Sequence, residues 1–189
     1  MDKIINKSID NHFSALASLK ENLPAITEIS RLFVSALKDN GKIIFMGNGG
    51  SAADSEHLAA ELVGRFKKNR KAFAAVSLSS NICVITAIGN DYGFDEIFSR
   101  QIEAIARKND LIVAISTSGE SQNVIKAVAK AKALGLKTVG FLGKSGGKLK
   151  GLVDISLVIP TEDTPRIQEM HILAGHIICE IVEEELLRQ

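Results

Sequence analysis

The sequence predicts a doubly wound α/β domain, in which helices cover both faces of a five-stranded parallel sheet. Five short apolar segments alternate along the chain with longer segments of helical periodicity. The apolar segments are nearly continuous, which is typical of parallel strands buried on both faces. Each is bounded by Gly, Ser, Asn or Asp, the residues that favour turns. The predicted strands are 42–46, 74–78, 111–115, 137–142 and 154–159.

Two amphipathic helices are predicted ahead of the first strand, because apolar residues recur at helical spacing in residues 5–19 and 26–37. The segment Asn22-Leu23-Pro24 separates them, and Gly41 is expected to end the second helix as its C′ residue. The later helices are predicted at 52–66, 94–107, 123–134 and 165–187, with a shorter one near 83–88. In the last of them Thr164 is a suitable N-cap and Pro165 a suitable first residue.

The length and composition favour one folded domain. A chain of 189 residues with 46% hydrophobic and 24% charged residues is typical of a single globular unit. We predict one domain over residues 1–189, with a helical pair in 1–40 and an α/β core with a long C-terminal helix in 41–189.

The charge distribution argues against nucleic-acid and membrane partners. The 23 basic and 22 acidic residues give a net charge of +1 and form no extended basic surface in the sequence. The densest basic run, 67–71, and the acidic run 183–185 are both interpreted as solvated helix ends. No segment approaches the roughly 20 apolar residues of a membrane span.

The two cysteines predict a reducing compartment. Cys83 and Cys179 lie in apolar segments, far apart and outside any CxxC motif, so we expect both to be buried, reduced thiols. Residues 1–7 lack the continuous apolar stretch of a secretion signal. The expected location is therefore cytoplasmic.

The segment Ser116-Thr117-Ser118-Gly119-Glu120-Ser121 follows the third predicted strand and precedes a helical pattern. Its four hydroxyl groups would lie beside unpaired backbone N–H groups at a helix N-terminus, where the helix dipole favours an anion. The segment therefore predicts a phosphate site. A simpler alternative is a serine-rich turn in which Ser121 only caps the helix.

The loop after the first predicted strand, 47–52, matches the G-x-G-x-x-G/A dinucleotide fingerprint. That fingerprint also needs an acidic residue at the end of the second strand to hold the ribose, and residues 77–80 contain none. Dinucleotide binding is therefore disfavoured. The glycines instead allow the backbone to approach a sugar or a phosphate closely. Both loops follow strands, at the edge where such folds bind ligands.

His57 and Glu61 lie four residues apart on the helix that begins in this glycine loop, so they share one face. An exposed pair within the helix is the simplest interpretation. Their position near the predicted ligand favours a second one, in which both bind a divalent metal or Glu61 acts as a base.

The last helix carries four polar residues in an apolar stripe: Gln168, Glu169, His171 and His176. His176 is expected to be partly buried, either as a core histidine or as a functional one. Gln168 and His176 lie roughly 80° apart and about 12 Å along the helix, so they border one cleft only if it runs along the helix. Asn90 and Asp91 are predicted to form a turn, in which Asp91 caps the next helix or both contact sugar hydroxyls.

Five motifs together resemble the sugar isomerase (SIS) domain family, and more closely its phosphoheptose isomerases. They are Gly47-Asn48-Gly49-Gly50-Ser51, His57 with 60–65, Gly89-Asn90-Asp91, 115–121, and Arg166-Ile167-Gln168-Glu169 with His171 and His176. The resemblance implies a flavodoxin-like SIS fold. It also implies an aldose–ketose isomerase that converts sedoheptulose 7-phosphate to D-glycero-D-manno-heptose 7-phosphate through an enediol, for lipopolysaccharide precursors.

The same resemblance implies a role for each matching residue. Ser116, Thr117, Ser118 and Ser121 would hold the phosphate, while Gly49, Gly50, Ser51, Glu61, Asn90, Asp91 and Gln168 would contact the rest of the substrate. Glu61 would be the catalytic base and His176 its acid/base partner. One zinc ion per site would be bound by His57, Glu61, Gln168 and His176. The enzyme would be a homotetramer with sites between subunits.

Two alternatives stay open. A non-catalytic SIS protein that binds a replication-initiator partner would share the loops but lack the acid/base pair, and an isomerase of another phosphosugar would share both. Two positions depart from the pattern of the phosphoheptose isomerases. Pro165 stands where some members have an acidic residue, and Gly175 stands beside His176 in place of a bulkier apolar residue.

Overall fold

The computed structural model describes residues 1–188. Its α-helices are α1 (Asp2–Glu21), α2 (Leu23–Lys38), α3 (Gly50–Val63), α4 (Ile82–Tyr92), α5 (Ser99–Ile105), α6 (Gln122–Ala133), α7 (Gly147–Lys150) and α8 (Thr164–Leu187). The strands are β1 (Ile43–Gly47), β2 (Ala75–Ser77), β3 (Leu111–Ser116), β4 (Lys137–Gly143) and β5 (Ile155–Ile159). Each of the five predicted strands is present, within one residue at most ends.

The strands form one parallel sheet in the order β2-β1-β3-β4-β5. This is the doubly wound, flavodoxin-like order, so the predicted fold class is confirmed. The order reverses direction between β1 and β3, which are neighbours paired from Ile43 with Leu111 to Gly47 with Ile115. The two loops singled out in the sequence therefore leave the sheet side by side.

Alternate residues of each central strand face opposite layers of the core. In β1, Ile43 and Phe45 pack against α1, α2, α3 and α8, while Ile44 and Met46 pack against α5 and α6. All four are inaccessible to solvent. The continuous apolar pattern of the strands thus reflects burial on both faces, as the sequence analysis predicted.

Several helix ends differ from the predictions. The C′ position after α2 is occupied by Asn40, with φ 57°, and not by Gly41. The Gly41 N–H instead donates to the carbonyl of Ala36 at 2.8 Å, and a Cβ on Gly41 would lie 2.2 Å from the carbonyl oxygen of Asn109. Glycine is therefore needed at 41 because another backbone segment lies so close.

Other predicted helix boundaries also differ from those in the structure. The predicted helix 94–107 is a 3₁₀ turn, Phe94–Glu96, followed by the short α5, and α7 had not been predicted. Asp163, rather than Thr164, precedes the first residue of α8. The segment Asn90-Asp91 belongs to the last turn of α4 and not to a separate turn, so Asp91 does not cap the next helix.

The prediction for the cysteines was half wrong. Cys179 is buried, but Cys83 is exposed on α4, and both thiols are free. An apolar setting in the sequence did not mean burial here, because α4 has no buried residue at all. Within residues 1–188, no helix combines the length and the apolar character needed to cross a membrane.

Candidate active site

The loops that follow β1 and β3 are joined by a pair of side-chain amides. Asn48 and Asn123 donate to each other through two reciprocal hydrogen bonds, both of 2.9 Å. Asn123 is buried, and its Oδ1 also accepts the N–H of Val124 in the first turn of α6. The pair therefore fixes the glycine loop against the start of α6.

Residues 116–121, called here the phosphate loop, are ordered by their own hydroxyl groups. Ser116 Oγ accepts the N–H of Gly119 and Ser118 Oγ accepts the N–H of Glu120, both at 3.1 Å. Ser121 precedes α6 but makes no side-chain cap; its hydroxyl instead bonds that of Ser116 at 3.1 Å. The side chain of Ser121 thus leaves the α6 N-terminus open, although the N–H of Val124 is taken by Asn123, and an open N-terminus is what an anion site requires.

A second loop, 144–147, lies close against the phosphate loop. A Cβ on Gly119 would lie 2.0 Å from the carbonyl oxygen of Gly146, and Gly119 has φ 68°, where glycine is favoured. Glu120 accepts the N–H of Lys148 at 2.8 Å. The shape of the phosphate loop is therefore fixed from outside as well as from within.

The glycine loop leads directly into α3 and meets α8. Gly49 has φ 56°, and Ser51 is buried in the first turn of the helix. A Cβ on Gly50 would lie 2.0 Å from Gln168 Nε2, so the glycine leaves room for the Gln168 amide over the backbone. α3 and the loop before it thus contact α8 at both Gln168 and His176, the two residues that the sequence analysis expected to border one site.

Three predicted site residues converge further along α3. His57 Nε2 lies 3.0 Å from His176 Nε2 and 3.2 Å from Glu61 Oε1. One ligand atom from each residue falls within 4.8 Å of the others. This His57–Glu61–His176 cluster joins α3 to α8. The interpretation of His57 and Glu61 as a simple pair within one helix was therefore incomplete.

His176 is suited to proton exchange. Burial is the main cause that holds the pKa of His176 below its ordinary value. The nearby His57 lowers this pKa further, and Glu61 opposes the shift. The ring is therefore neutral near pH 7, with one nitrogen that donates and one that accepts. A neutral imidazole of this kind can serve as a metal ligand or carry a proton between two oxygens.

The donor set fits a zinc ion. Zinc prefers imidazole nitrogen and carboxylate oxygen in tetrahedral geometry, which sets neighbouring ligand atoms roughly 3.3 Å apart. The distances from His57 Nε2 to its two neighbours are 3.0 and 3.2 Å, close to that spacing. Gln168 lies on the same helix as His176 and contacts Gly50 at the start of α3.

Two predicted substrate contacts are not joined to the cluster by any contact within residues 1–188. Asn90 donates from Nδ2 to Asp91 Oδ1 at 2.8 Å, and both side chains are exposed at the end of α4. Thr117, between the two ordered serines of the phosphate loop, is half-buried. These assignments stay predictions.

The sequence analysis overlooked Asp54, one turn before His57 on α3. Its Oδ2 is buried without a hydrogen-bond partner in residues 1–188, and burial raises the pKa of Asp54 to about 6, with His57 opposing. The spacing of Asp54, His57 and Glu61 on one helix was the available signal.

The sequence analysis also misjudged two charged residues. Arg70 and Glu183 were placed in solvated runs, but their side chains are each only 1% exposed and form an ion pair of 2.8 Å. Burial raises the pKa of Glu183, but the backbone N–H groups of 66–68 and Arg70 outweigh it and hold that pKa below its ordinary value. The pair fixes the segment that follows α3.

One of the two departures from the family pattern has a packing reason. A Cβ on Gly175 would lie 2.5 Å from Leu58 Cδ2, so glycine at 175 lets α8 approach α3 with Leu58 in place. Pro165 lies in the first turn of α8, where a missing N–H costs nothing. Nothing in the structure explains why an acidic residue is absent there.

Comparison with known proteins gives a consistent result. The SIS domain family model matches residues 9–143. The phosphoheptose isomerase of a Nitratiruptor species is 50% identical over 181 residues, 95% of this chain and 97% of that protein. That of Helicobacter pylori is 50% identical over 184 residues, 97% and 96% of the two chains. A solved phosphoheptose isomerase from Neisseria gonorrhoeae has a TM-score of 0.92 at 37% identity, over 97% of this chain and 98% of that one.

Proposed function

The chain belongs to the SIS domain family, among its phosphoheptose isomerases, and we propose that it interconverts sedoheptulose 7-phosphate and D-glycero-D-manno-heptose 7-phosphate. The observation that carries the proposal is the His57–Glu61–His176 cluster, whose ligand atoms lie within 4.8 Å of one another. An aldose–ketose isomerisation through an enediol needs a base at carbon and a proton carrier at oxygen. The cluster provides one of each.

Glu61 is the base. It removes a proton from C1 of the ketose and, once that proton has exchanged with solvent, delivers a proton to C2, so that one carboxylate serves both carbons in turn. Its Oε1 lies 3.2 Å from His57 Nε2, which leaves Oε2 for the proton. The Glu61 side chain is 25% exposed, so it reaches the cleft while most of it is shielded from water.

His176 carries the proton at oxygen. As the enediol forms, the neutral ring donates a proton to O2; as the aldehyde forms, the ring takes the proton of O1. The ring therefore ends as it began, and no net proton is gained or lost. Because the lowered pKa of His176 favours the neutral ring, the ring passes through the imidazolate after its proton goes to O2, and the proton of O1 restores the imidazole.

The phosphate loop binds the far end of the substrate. Its hydroxyls and the α6 N-terminus hold the dianion, and their binding energy orients the sugar chain towards Glu61. Because the phosphate is remote from C1 and C2, these contacts are equally strong in ground and transition states. They should govern affinity more than turnover.

We also propose that the cluster binds one zinc ion through His57, Glu61 and His176, with Gln168 as a further ligand. A zinc ion at such a site would polarise the substrate carbonyl as a Lewis acid. The spacing of the donor atoms and the neutral state of His176 support the assignment.

We propose a homotetramer, as the resemblance implies, and the exposed apolar residues of two helices support contacts with other chains. On α1, Ile5 is 54%, Ile9 48% and Phe13 63% exposed, and on α4, Ile82 is 72% exposed. Apolar surface of this kind on helices marks a contact with another chain. A partner subunit packed on α4 would cover Asn90 and Asp91 and place them in a shared site. A monomeric mass in light scattering would contradict this arrangement.

The partner-binding alternative lacks the acid/base pair, so the presence of Glu61 and His176 counts against it. A different phosphosugar as substrate is distinguished by the assay below. The role in lipopolysaccharide precursor synthesis stays a prediction from the resemblance, and the cytoplasmic location stays a prediction from the cysteines and residues 1–7.

The experiment follows conversion of sedoheptulose 7-phosphate in deuterated water, before and after chelation and with zinc restored. We expect deuterium at C2 of the heptose phosphate product. Glu61→Gln should lower turnover by roughly 1,000-fold, because the amide cannot accept the carbon-bound proton. Zinc should restore activity lost on chelation.

Glu56→Gln is the matched control. Glu56 lies on the same helix and is exposed, so its loss should leave turnover unchanged. If folded wild-type protein neither converts this ketose nor exchanges its proton, with or without zinc, the heptose assignment is wrong. Conversion of a hexose or pentose phosphate instead would identify a different isomerase.

A further inference from the structure

The ring of Phe66 lies against that of His176. Their centroids are 5.3 Å apart and the ring planes are inclined by 30°, a stacked arrangement. Phe66 follows α3 in the chain and is half-buried, while His176 lies in the middle of α8. The contact is therefore made between separate elements of the chain.

The His176 ring has few other constraints. Within residues 1–188 its hydrogen bonding consists of the 3.0 Å contact between its Nε2 and His57 Nε2. A functional histidine usually has its second ring nitrogen hydrogen-bonded to a carboxylate or carbonyl, which sets both tautomer and orientation. No such bond to Nδ1 is found in the described chain. Within the described chain, the rings of His57 and Phe66 lie against that of His176, with centroids 5.0 and 5.3 Å away, and the Phe66 ring is the one that stacks on it and limits its rotation about χ2.

The backbone that carries Phe66 is bound back to α8. The carboxylate of Glu183 accepts the N–H groups of Phe66 and Lys67 at 2.9 Å and that of Lys68 at 3.0 Å. Glu183 is seven residues after His176, so both project from the same face of α8. One face of one helix therefore holds both the ring of Phe66 and its main chain.

Arg70 extends this arrangement to α3. Its Nε donates to Glu183 Oε1 at 2.8 Å, while Nη2 donates to the carbonyl of Glu61 and Nη1 to that of Leu62, both at 2.9 Å. The guanidinium thus caps the last turn of the helix that carries Glu61. Base and acid are tied to the same buried ion pair.

We propose that Phe66 is a positioning residue for His176, and that the Glu183–Arg70 pair holds Phe66 in place. The proposal rests on the proposed function in that His176 is taken to carry the proton at oxygen. It adds that the aromatic face of Phe66, together with the contact to His57, sets the orientation of His176. The alternative is that Phe66 only fills space between α3 and α8.

The test replaces Phe66 by leucine, which keeps an apolar side chain but removes the ring. If Phe66 orients His176, Phe66→Leu should lower kcat for sedoheptulose 7-phosphate by roughly 10- to 100-fold, the usual cost of losing an orienting partner. KM should stay within about a factor of two, because substrate binding is untouched. Phe66→Tyr, which keeps the ring, should restore kcat.

A second measurement needs no activity. In a carbon-13 correlation spectrum of histidine-labelled, metal-free protein, the His176 ring signals are assigned by their loss in His176→Gln. Protons over an aromatic face are shielded, so these signals should move downfield in Phe66→Leu and stay near their wild-type positions in Phe66→Tyr. Unmoved signals in Phe66→Leu would contradict the contact itself.

Phe73→Leu is the matched control. The Phe73 ring lies against the same guanidinium, 4.0 Å from Arg70 Cζ, and packs on the same core. It should leave kcat and the His176 signals unchanged. An equal fall in kcat for Phe73→Leu and Phe66→Leu would make the effect one of packing, and would overturn the proposal. An inactive wild type would refute the proposed function, while the spectrum would still test the contact.

Discussion

The phosphate loop and the His57–Glu61–His176 cluster are built in opposite ways. The phosphate loop consists of neighbouring residues, and its internal hydrogen bonds span five residues or fewer. The cluster depends on a contact between His57 and His176, which are 119 positions apart. The phosphate loop is shaped mainly by its own residues, with further contacts from Gly146 and Lys148, whereas the cluster exists only once α3 and α8 have packed together.

This difference determines how each site can fail. The phosphate loop is made largely of backbone groups and short side chains, so a single substitution removes one contact among several. The cluster has no redundancy, since the loss of any one of its three residues removes a proposed zinc ligand. It also depends on the buried Arg70–Glu183 pair, which bonds to no substrate group but fixes both α3 and the segment that follows it.

The largest effect is expected from Arg70→Met, which should break the support of the cluster and spare the phosphate loop. Removing one partner of a buried ion pair leaves an uncompensated charge and costs about 3–5 kcal/mol of unfolding free energy. The Glu183 carboxylate would keep its three N–H partners but lose its countercharge. Urea denaturation measures the change.

Arg188→Met serves as the control for that variant. Arg188 pairs with Glu185 at 2.8 Å but is 68% exposed, and exposed pairs contribute little. Its unfolding free energy should stay within about 0.5 kcal/mol of wild type. If the two variants lost equal unfolding free energy, burial would not make the Arg70–Glu183 pair more important than an exposed pair. The contrast between the two regions would then be lost.

A somewhat smaller loss of unfolding free energy is expected at low pH, because of His171. This residue lies between the two regions, since its buried Nε2 donates to the carbonyl of Leu142 at the end of β4. Burial lowers the pKa of His171 from 6.5 to about 4, with the Leu142 bond opposing. The unfolded chain therefore binds this proton more readily. Neutral His171 therefore makes its full contribution to the unfolding free energy above pH 6.5. That contribution, about 3 kcal/mol in total, is lost as the pH falls to about 4.

The measurement compares wild type with His171→Gln from pH 7 to pH 4. Asp54, whose pKa is raised to about 6, contributes a slope of the opposite sign, but it does so in both proteins. The difference between the two unfolding free energies should therefore shrink as the pH falls. A difference that is independent of pH would mean that His171 is protonated equally in both states.

The smallest effect is expected from Ser118→Ala, which breaks the phosphate loop alone. Ser118 Oγ accepts one N–H, and its proposed phosphate contact is one of several. We expect KM for sedoheptulose 7-phosphate to rise roughly tenfold, with kcat changed by less than about twofold. Ser14→Ala, at an exposed position on α1, is the control. A fall in kcat at unchanged KM would place Ser118 in the chemistry instead.

The sequence predicted the local features well and the distant ones poorly. The strands and both loops follow from continuous apolar runs and from glycine, serine and asparagine at their ends, which are signals carried by neighbours. The burial of Glu183 could not be predicted, because its partners lie more than 100 positions earlier, in the Phe66–Arg70 segment. Cys83 was misjudged for the converse reason: its helix is apolar, but no part of the described chain covers it.

The amide pair that joins the two loops also affects the chemical stability of the protein over time. Asn48 is followed by Gly49, and an asparagine before glycine is the sequence that most readily loses its side-chain amide to spontaneous hydrolysis. Loss of that amide would convert a donor to Asn123 into a second acceptor and would add a negative charge at the base of the glycine loop. Deamidation of Asn48 would therefore impair ligand binding first, while the apolar layers that stabilise the fold would stay intact.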